Sequence, residues 1–578
     1  MNVTTKTKLI KILIPTSITF IIILLIPKPT FETSTKSHHI HTQNHLQLAE
    51  SHCDGTLYPD LCISTISSIP HFHKKSLTEI LQDIIRVTEA EVRASEHNVS
   101  DIESGNRHSL TRLQHYAVKD CLELLGDTID ELETVLDDLA GQCGPTRNFT
   151  DIGTYLSAAM TNQYTCLEGF AGGSSRTLRK FIQNGLFHIS QHVSNSLAIL
   201  KKISGTNHCK NKNHGSLSNN DDDLEDVNGL DRVGFPGWMK RKDRRLLQSA
   251  PPSAAGNGSS IPVDLVVAKD GSGNFSSIEE AVSAAPNRSR TRFVIYIKSG
   301  VYFENVEVER LKSNIMFLGD GIGKTIIKAN RNVVDGYTTF RSATLAVVGP
   351  GFIAKGITVE NTAGPTKHQA VALRSNSDLS AFYQCSFLGY QDTLYPHSLR
   401  QFYRECDIYG TIDFVFGNAA VVLQNCNLYA REPLPRQKNI YTAQGREDPN
   451  QNTGISILNC KVTAAADLAA NKTAYKTYLG RPWKEYSRTV FMLSNIDDVV
   501  DPAGWLEWDG DFALNTLFYG EYMNRGPGSN TSARVSWPGY RVITNASDAS
   551  KFTVENLISG GEWLPSYGIP YYPNLTEN

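Results

Sequence analysis

The chain has 578 residues and a formal net charge of −3, which is too long for one ordinary domain, so two or three compact units are expected. Hydrophobic residues make up 40% of it, which excludes a mostly disordered chain. The 56 Lys and Arg residues are matched by 59 Asp and Glu, so no basic excess marks a nucleic-acid binder.

Lys6, Lys8 and Lys11 precede a nearly unbroken apolar stretch from Ile12 to Ile26, which Pro27, Lys28 and Pro29 end. About 15 apolar residues are short for a transmembrane helix and suit a signal-peptide core. Residues 1–30 are therefore expected to direct the chain into the secretory pathway. They would act as a cleaved signal peptide or, since no Ala-x-Ala cleavage site lies nearby, as an uncleaved signal anchor. Nine Asn-x-Ser/Thr sequons follow, from Asn98 to Asn574. With a signal segment they read as a glycosylated, secreted protein in which disulfides are allowed.

Residues 46–204 read as helical. Leu77, Ile80, Ile84 and Val87 form one stripe at helical spacing. Leu113, Ala117, Cys121, Leu125, Ile129, Leu132, Leu136 and Leu139 form a second, and Ile182, Leu186, Ile189, Val193, Leu197 and Leu200 a third. Short loops between such helices predict an all-α, up-and-down four-helix bundle. Cys53 and Cys62 can staple an N-terminal hairpin, and Cys121 and Cys166 can tie two helices, although pairing is not deducible from sequence. No catalytic constellation is evident here.

Residues 205–260 lose this periodicity and read as a linker rich in Asn, Gly, Ser, Asp and Pro. Within it, the basic run Lys240 to Arg245, followed by Leu246 and Leu247, suits a processing protease in an exposed segment of a secreted chain.

Residues 261–570 change character again, with short β-branched and aromatic runs broken by Gly and Asn. This is an all-β signature, with a helical pattern only over Ile278 to Ala285. Four segments repeat: Phe382-Tyr-Gln-Cys385-Ser-Phe387, Tyr403-Arg-Glu-Cys406-Asp-Ile408, Leu423-Gln-Asn-Cys426-Asn-Leu428 and Ile457-Leu-Asn-Cys460-Lys-Val462. Their cysteines are 21, 20 and then 34 residues apart, the last as an insertion would produce. A period near 20 residues built of short strands predicts a parallel β-helix or another solenoid.

In such a fold, residues one period apart stack at about 4.8 Å. Asp392 and Asp413 are 21 apart, and Gln369 and Gln391 are 22 apart. Two carboxyls that close cannot both ionise easily, so one stays protonated and the other is anionic. That supplies an acid beside a nucleophile or base. Glutamine amides can donate to a developing oxyanion, and an arginine would keep the nucleophilic aspartate ionised.

Five ordered segments carry a resemblance: Gly300-Val-Tyr302-Phe-Glu304, Gln369-Ala-Val-Ala-Leu-Arg374, Gly389-Tyr-Gln391-Asp392-Thr-Leu-Tyr395, Asp413-Phe-Val-Phe-Gly-Asn418 and Leu479-Gly-Arg481-Pro-Trp483. Together they resemble the motif set of the plant pectin methylesterases. The bundle with Cys53, Cys62, Cys121 and Cys166 resembles that family's inhibitor-like domain, and Arg244-Arg245-Leu246-Leu247 its processing motif. The resemblance implies a right-handed parallel β-helix, a cell-wall location and demethylation of homogalacturonan.

By the same resemblance, Asp413 is the nucleophile, Asp392 the general acid and then base, and Gln391 and Gln369 the oxyanion hole. Arg481 would hold Asp413, Trp483 would offer a platform to a sugar ring, and Thr339 would bind substrate. Cys406 and Cys426 match the family's catalytic-domain disulfide, which leaves Cys385 and Cys460 as buried ladder thiols. Cys143 and Cys209 depart from the inhibitor pattern. No cofactor or metal is implied. The implied partners are methyl-esterified homogalacturonan, the chain's own inhibitor-like domain before processing, a subtilisin-like protease and separate inhibitor proteins. Three rivals stay open: a retaining glycosidase, whose paired carboxylates are similarly spaced; a calcium-dependent lyase, which needs more carboxylates; and an inert β-domain carried by an inhibitory bundle. From residue 250 onward 30 basic residues meet 31 acidic ones, so an anionic polymer must be met by local groups rather than a global field.

Overall fold

The computed structural model describes residues 45–106, 110–140, 149–171, 175–206 and 262–575. The signal segment, the linker with Arg244 to Leu247, and Cys143 and Cys209 lie outside the described residues.

A short helix, α1 (Pro59–Ser68), starts with proline in its first turn, where the missing N–H is harmless. Four long helices follow: α2 (Leu77–Asn106), α3 (Arg112–Ala140), α4 (Phe149–Glu168) and α5 (Arg176–Thr206). Each packs against two of the others, α2 on α3, α3 on α4, α4 on α5 and α5 back on α2, which closes a four-helix bundle. Most of the stripe residues form its core, with Ile80, Ile84, Ala117, Leu125, Leu132, Leu186, Ile189 and Val193 all buried, whereas Val87 is exposed. Disulfides join Cys53 to Cys62 and Cys121 to Cys166, the second tying α3 to α4.

From Leu265 onward the chain winds through three parallel sheets of eleven, seven and eight strands among the described residues, a right-handed parallel β-helix. The helix Ile278–Ala284, capped by Ser277, fits the one helical pattern read in this half. Between Phe293 and Gly480 each coil contributes one strand to each sheet, so like residues stack. Phe382 and Tyr403 lie ring on ring at 4.7 Å, and Tyr409 on Tyr429 at 4.5 Å. The four repeat cysteines mark a turn between the eleven- and eight-stranded sheets. The residue before each one, Gln384, Glu405, Asn425 and Asn459, takes a left-handed conformation (φ 51° to 55°). Asparagine tolerates that conformation best, which accounts for Asn at two of the four turns.

Here the structure corrects one expectation. Cys406 and Cys426 are separate buried thiols, as are Cys385 and Cys460. In-register stacking points all four side chains the same way. Each thiol is engaged with a carbonyl of the preceding coil: Cys406 Sγ donates to Phe382 O at 3.3 Å and Cys426 Sγ to Tyr403 O at 3.4 Å. Ser494 continues the ladder, its Oγ accepting from Cys460 N at 3.0 Å.

Two helical layers cover the solenoid. The C-terminal helices Val554–Ile558 and Gly560–Tyr567 pack Leu557, Trp563 and Leu564 onto Phe402, Val422 and Val490 of the eleven-stranded sheet. The bundle packs onto the seven-stranded sheet, where Phe340, Val371, Tyr395, Phe416 and Ala443 join its apolar core.

Candidate active site

The seven-stranded sheet carries the residues singled out by spacing. Its register pairs Leu373 with Leu394 and Leu394 with Val415. Asp392 and Asp413 each precede such a strand by two residues. Asp392 N donates to Ile412 O at 3.0 Å, and Ala370 N to Gln391 O at 3.2 Å. In a parallel ladder each N–H bonds the carbonyl just before its neighbour's equivalent residue. Asp392 is therefore set beside Asp413, and Gln369 beside Gln391. Both aspartates are buried, with left-handed φ values of 65° and 51°. Such backbones cost a non-glycine residue on the order of 1–3 kcal/mol and persist only where the surroundings hold them. Here the ladder bonds do so.

Arg481 follows the strand Thr477–Gly480. It donates Nε to Asp413 Oδ1 at 2.8 Å and Nη2 to Oδ2 at 2.6 Å. This fork holds both carboxylate oxygens and favours the anion. Burial still lifts Asp413 above the usual carboxylate range, against the pull of Arg481. Asp392 lies well above that range, first through burial and then through the charge of Asp413. The pair therefore releases its first proton from the side that Arg481 holds. Between the two titrations Asp413 is anionic and Asp392 protonated.

Trp483 is half-buried, with its ring edge-on to Phe416 at 5.9 Å. Gly445 permits this placement, since a Cβ there would lie 2.8 Å from Trp483 Cε3. Thr339, Gln369, Gln391, Asp392, Asp413, Arg481 and Trp483 all line one cavity of about 660 Å³. The structure thus brings together every catalytic and substrate-binding candidate named from sequence. Sequence reasoning missed Trp508, whose ring lies 4.3 Å from the Arg481 guanidinium carbon, and the stacked pair Tyr395 and Phe416. Trp508 sits outside the repeat, where period alone gives no signal.

The bundle supplies part of the cavity wall: Leu113, Asp120, Thr165, Glu168, Gly169 and Ala171. Glu168 binds Lys484 at 2.7 Å and adds to the rise of Asp392. Thr165 Oγ1 meets His397 Nε2 at 2.9 Å. Around the rim, one face of α3 inserts carboxylates among arginines. Arg341 donates Nε to Asp120 at 2.8 Å, Arg374 reaches Glu123 at 3.4 Å, and Arg310 donates to Asp127 at 3.0 Å. Burial raises Asp120, pushes Asp127 up to about 6 and lifts Glu131 well above its usual range. Burial would raise Glu123 too, but Arg374 and Arg341 bring it below. Among the described residues, one group of three His, Cys, Asp or Glu side chains is close enough to share a metal ion, and it lies in the bundle.

Comparison with known proteins agrees with this geometry. A family model described as Pectinesterase matches residues 264–561, and one described as plant invertase/pectin methylesterase inhibitor matches residues 47–199. Pectinesterase 2 of Arabidopsis thaliana is 49% identical over 91% of this chain and 90% of its own length. Pectinesterase/pectinesterase inhibitor 3 of the same plant is 47% identical over 90% of this chain and 89% of its own. The solved pectin methylesterase from carrot superposes with a TM-score of 0.55 at 58% identity, over 55% of this chain and all of that one. The chain belongs to the pectinesterase family and is a pectin methylesterase preceded by a domain of the inhibitor family.

Proposed function

We propose that Asp413 is the nucleophile of this esterase, and the observation that carries the reading is the two-bond Arg481 fork on one member of a stacked aspartate pair. Anionic Asp413 attacks the methyl-ester carbonyl at C6 of a galacturonate unit in homogalacturonan. The amides of Gln369 and Gln391 line the same cavity and donate to the oxyanion that develops. Protonated Asp392 gives its proton to the departing methoxy oxygen, so methanol leaves and an acyl-enzyme remains. Asp392, now anionic, takes a proton from water as the water's oxygen attacks the acyl carbon. The product leaves as the carboxylic acid, which ionises in water, and Asp413 is restored as the anion and Asp392 as the acid. Thr339, Trp483 and Trp508 supply polar and flat apolar surface to the sugar rings.

The same reading makes the bundle an intramolecular inhibitor. Its residues Thr165, Glu168 and Asp120 occupy the wall through which a polymer would enter. Residues 46–204 act as the inhibitory domain, 205–260 as the cleavable linker and 261–570 as the catalytic domain. The signal segment sends the precursor along the secretory pathway to the plant cell wall, and a subtilisin-like protease cuts at Arg244 to Leu247. No described helix is long and apolar enough to cross a membrane.

The test compares intact chain with chain cut in the linker, on methylated pectin, reading methanol and reducing ends together. The cut enzyme should release methanol and acid without new reducing ends, and the intact chain far less methanol. New reducing ends would mean glycoside cleavage. Equal methanol from both forms would remove the inhibitory role.

A further inference from the structure

Beyond the catalytic cleft, α2 and α5 of the bundle bring together Glu91, His188 and His192, whose ligand atoms lie within 4.8 Å of one another. The two histidines are four residues apart on α5, so their rings fall on one face of the helix. Glu91 comes from α2. His188 Nδ1 meets Glu91 Oε2 at 2.8 Å, and His192 Nε2 faces Glu91 Oε1 at 3.5 Å. The rings stand at 88° to each other, centroids 4.7 Å apart. His188 is 45% exposed and opens the group to solvent, whereas His192 is only 2% exposed. His192 Nδ1 has no hydrogen-bond partner.

We propose that Glu91, His188 and His192 form a divalent transition-metal site of the zinc class, with water as the remaining ligand. In their metal-binding forms, a carboxylate and two imidazole nitrogens present only lone pairs to one another. In the metal-free chain a ring N–H bridges the His188–Glu91 contact, and a metal ion would take the place of that proton. Zinc bonds of about 2.0–2.2 Å in a tetrahedron place neighbouring ligand atoms about 3.4 Å apart. His188 and His192 face different oxygens of Glu91, at 2.8 Å and 3.5 Å, and the three ligand atoms span up to 4.8 Å, so closing them on one ion takes side-chain shifts on the order of 1 Å, which the exposed His188 is free to make. Two imidazoles with one carboxylate suit zinc and its neighbours and do not suit calcium or magnesium, which take oxygen ligands.

The place of the site gives it a structural use. Disulfides secure the N-terminal hairpin and the α3–α4 pair. The α2–α5 pair has no such bond among the described residues, and a metal ion would clip it. The bonds that dock the bundle onto the catalytic cavity come from α3, α4 and Ser194 of α5, not from these three residues. The site therefore acts on the bundle and leaves the esterase chemistry untouched.

The test uses the full chain, metal-free, with the metal ion alone as probe. Zn²⁺ is titrated calorimetrically, thermal unfolding is followed with and without it, and Co²⁺ is added as an optical reporter of coordination. Because His38, His39 and His41 are close together in sequence, the readout is the difference between chains and not total stoichiometry. Wild type should bind one more equivalent than His188→Ala, about 100-fold tighter than any residual binding by that variant. It should also show cobalt ligand-field bands that the variant lacks, and unfold at higher temperature with Zn²⁺. His188 is exposed enough for its removal to leave the fold intact, and Glu91→Gln provides a second variant of unchanged shape. Equal Zn²⁺ titrations and equal cobalt spectra for wild type and both variants would overturn the site and leave a hydrogen-bonded His–Glu–His group.

Discussion

Arg481→Lys keeps a positive charge beside Asp413 and loses the fork. The native guanidinium spans both carboxylate oxygens, at 2.8 Å and 2.6 Å, in a pocket where Asp413 is buried. An ammonium reaches one oxygen at a time, so one charge-assisted hydrogen bond is lost, worth about 1.5–3 kcal/mol. If that bond orients the attacking oxygen, the loss appears in the transition state, where 1.36 kcal/mol is a factor of ten, so kcat/KM should fall by about 10- to 200-fold. The substitution also weakens the pull that opposes burial, so Asp413 moves higher still and the acid limb of the rate profile shifts to higher pH. The assay is initial methanol release over a pH series by enzyme cut in the linker, with circular dichroism as a check on folding. A folded Lys variant within about 3-fold of the parent, with an unmoved acid limb, would refute the role given to the fork.

Asp392→Asn removes the proton donor and the later base, which should lower kcat by about 10²- to 10⁴-fold. It should also change stability in a particular direction. Asp392 titrates well above its unfolded value, so its favourable contribution is present at low pH and lost as pH rises through the folded pKa. Asn has no such loss, and thermal unfolding of the variant against pH should show it gaining on the parent as pH rises above the ordinary carboxylate value. Asp127→Asn tests docking. Its carboxyl is raised to about 6 where α3 is buried against the β-helix, so the docked form binds a proton that the free form releases. Docking is then strongest below the free value and weakens by up to about 3 kcal/mol as pH climbs through about 6. Inhibition of cut enzyme by its retained bundle should follow that trend in the parent and be flatter in Asp127→Asn. Finally, alkylation of denatured, unreduced chain followed by peptide mass mapping should label Cys385, Cys406, Cys426 and Cys460; a linked Cys406–Cys426 peptide would contradict the thiol ladder.

The solenoid was legible because stacking forces like residues into like places. The cysteine period, the left-handed turns and the 21-residue spacing of the aspartates are one fact seen three times. The family resemblance misled at Cys406 and Cys426. Adjacent coils bring their sulfurs near, but parallel side chains held to separate carbonyls stay thiols. The helical stripes identified the bundle's core but said nothing of its outer face. Asp120, Glu123 and Asp127 lie off the apolar stripe of α3, where charges ordinarily meet solvent. Only the docked arginines Arg341, Arg374 and Arg310 reveal them as contacts. Period is likewise blind to Trp508, which no second coil repeats. Glu91 escaped notice for a different reason, since its partners stand nearly a hundred residues away on another helix.

The nucleophile carries the account, and the direct measurement is methanol release by linker-cut Asp413→Asn beside its parent. Asparagine fills the same volume and leaves the backbone turn possible, so folding should survive, with an unfolding temperature close to the parent's. Methanol release should fall by at least about 10³-fold. A folded Asp413→Asn enzyme that releases methanol at more than about a tenth of the parent rate would contradict the mechanism.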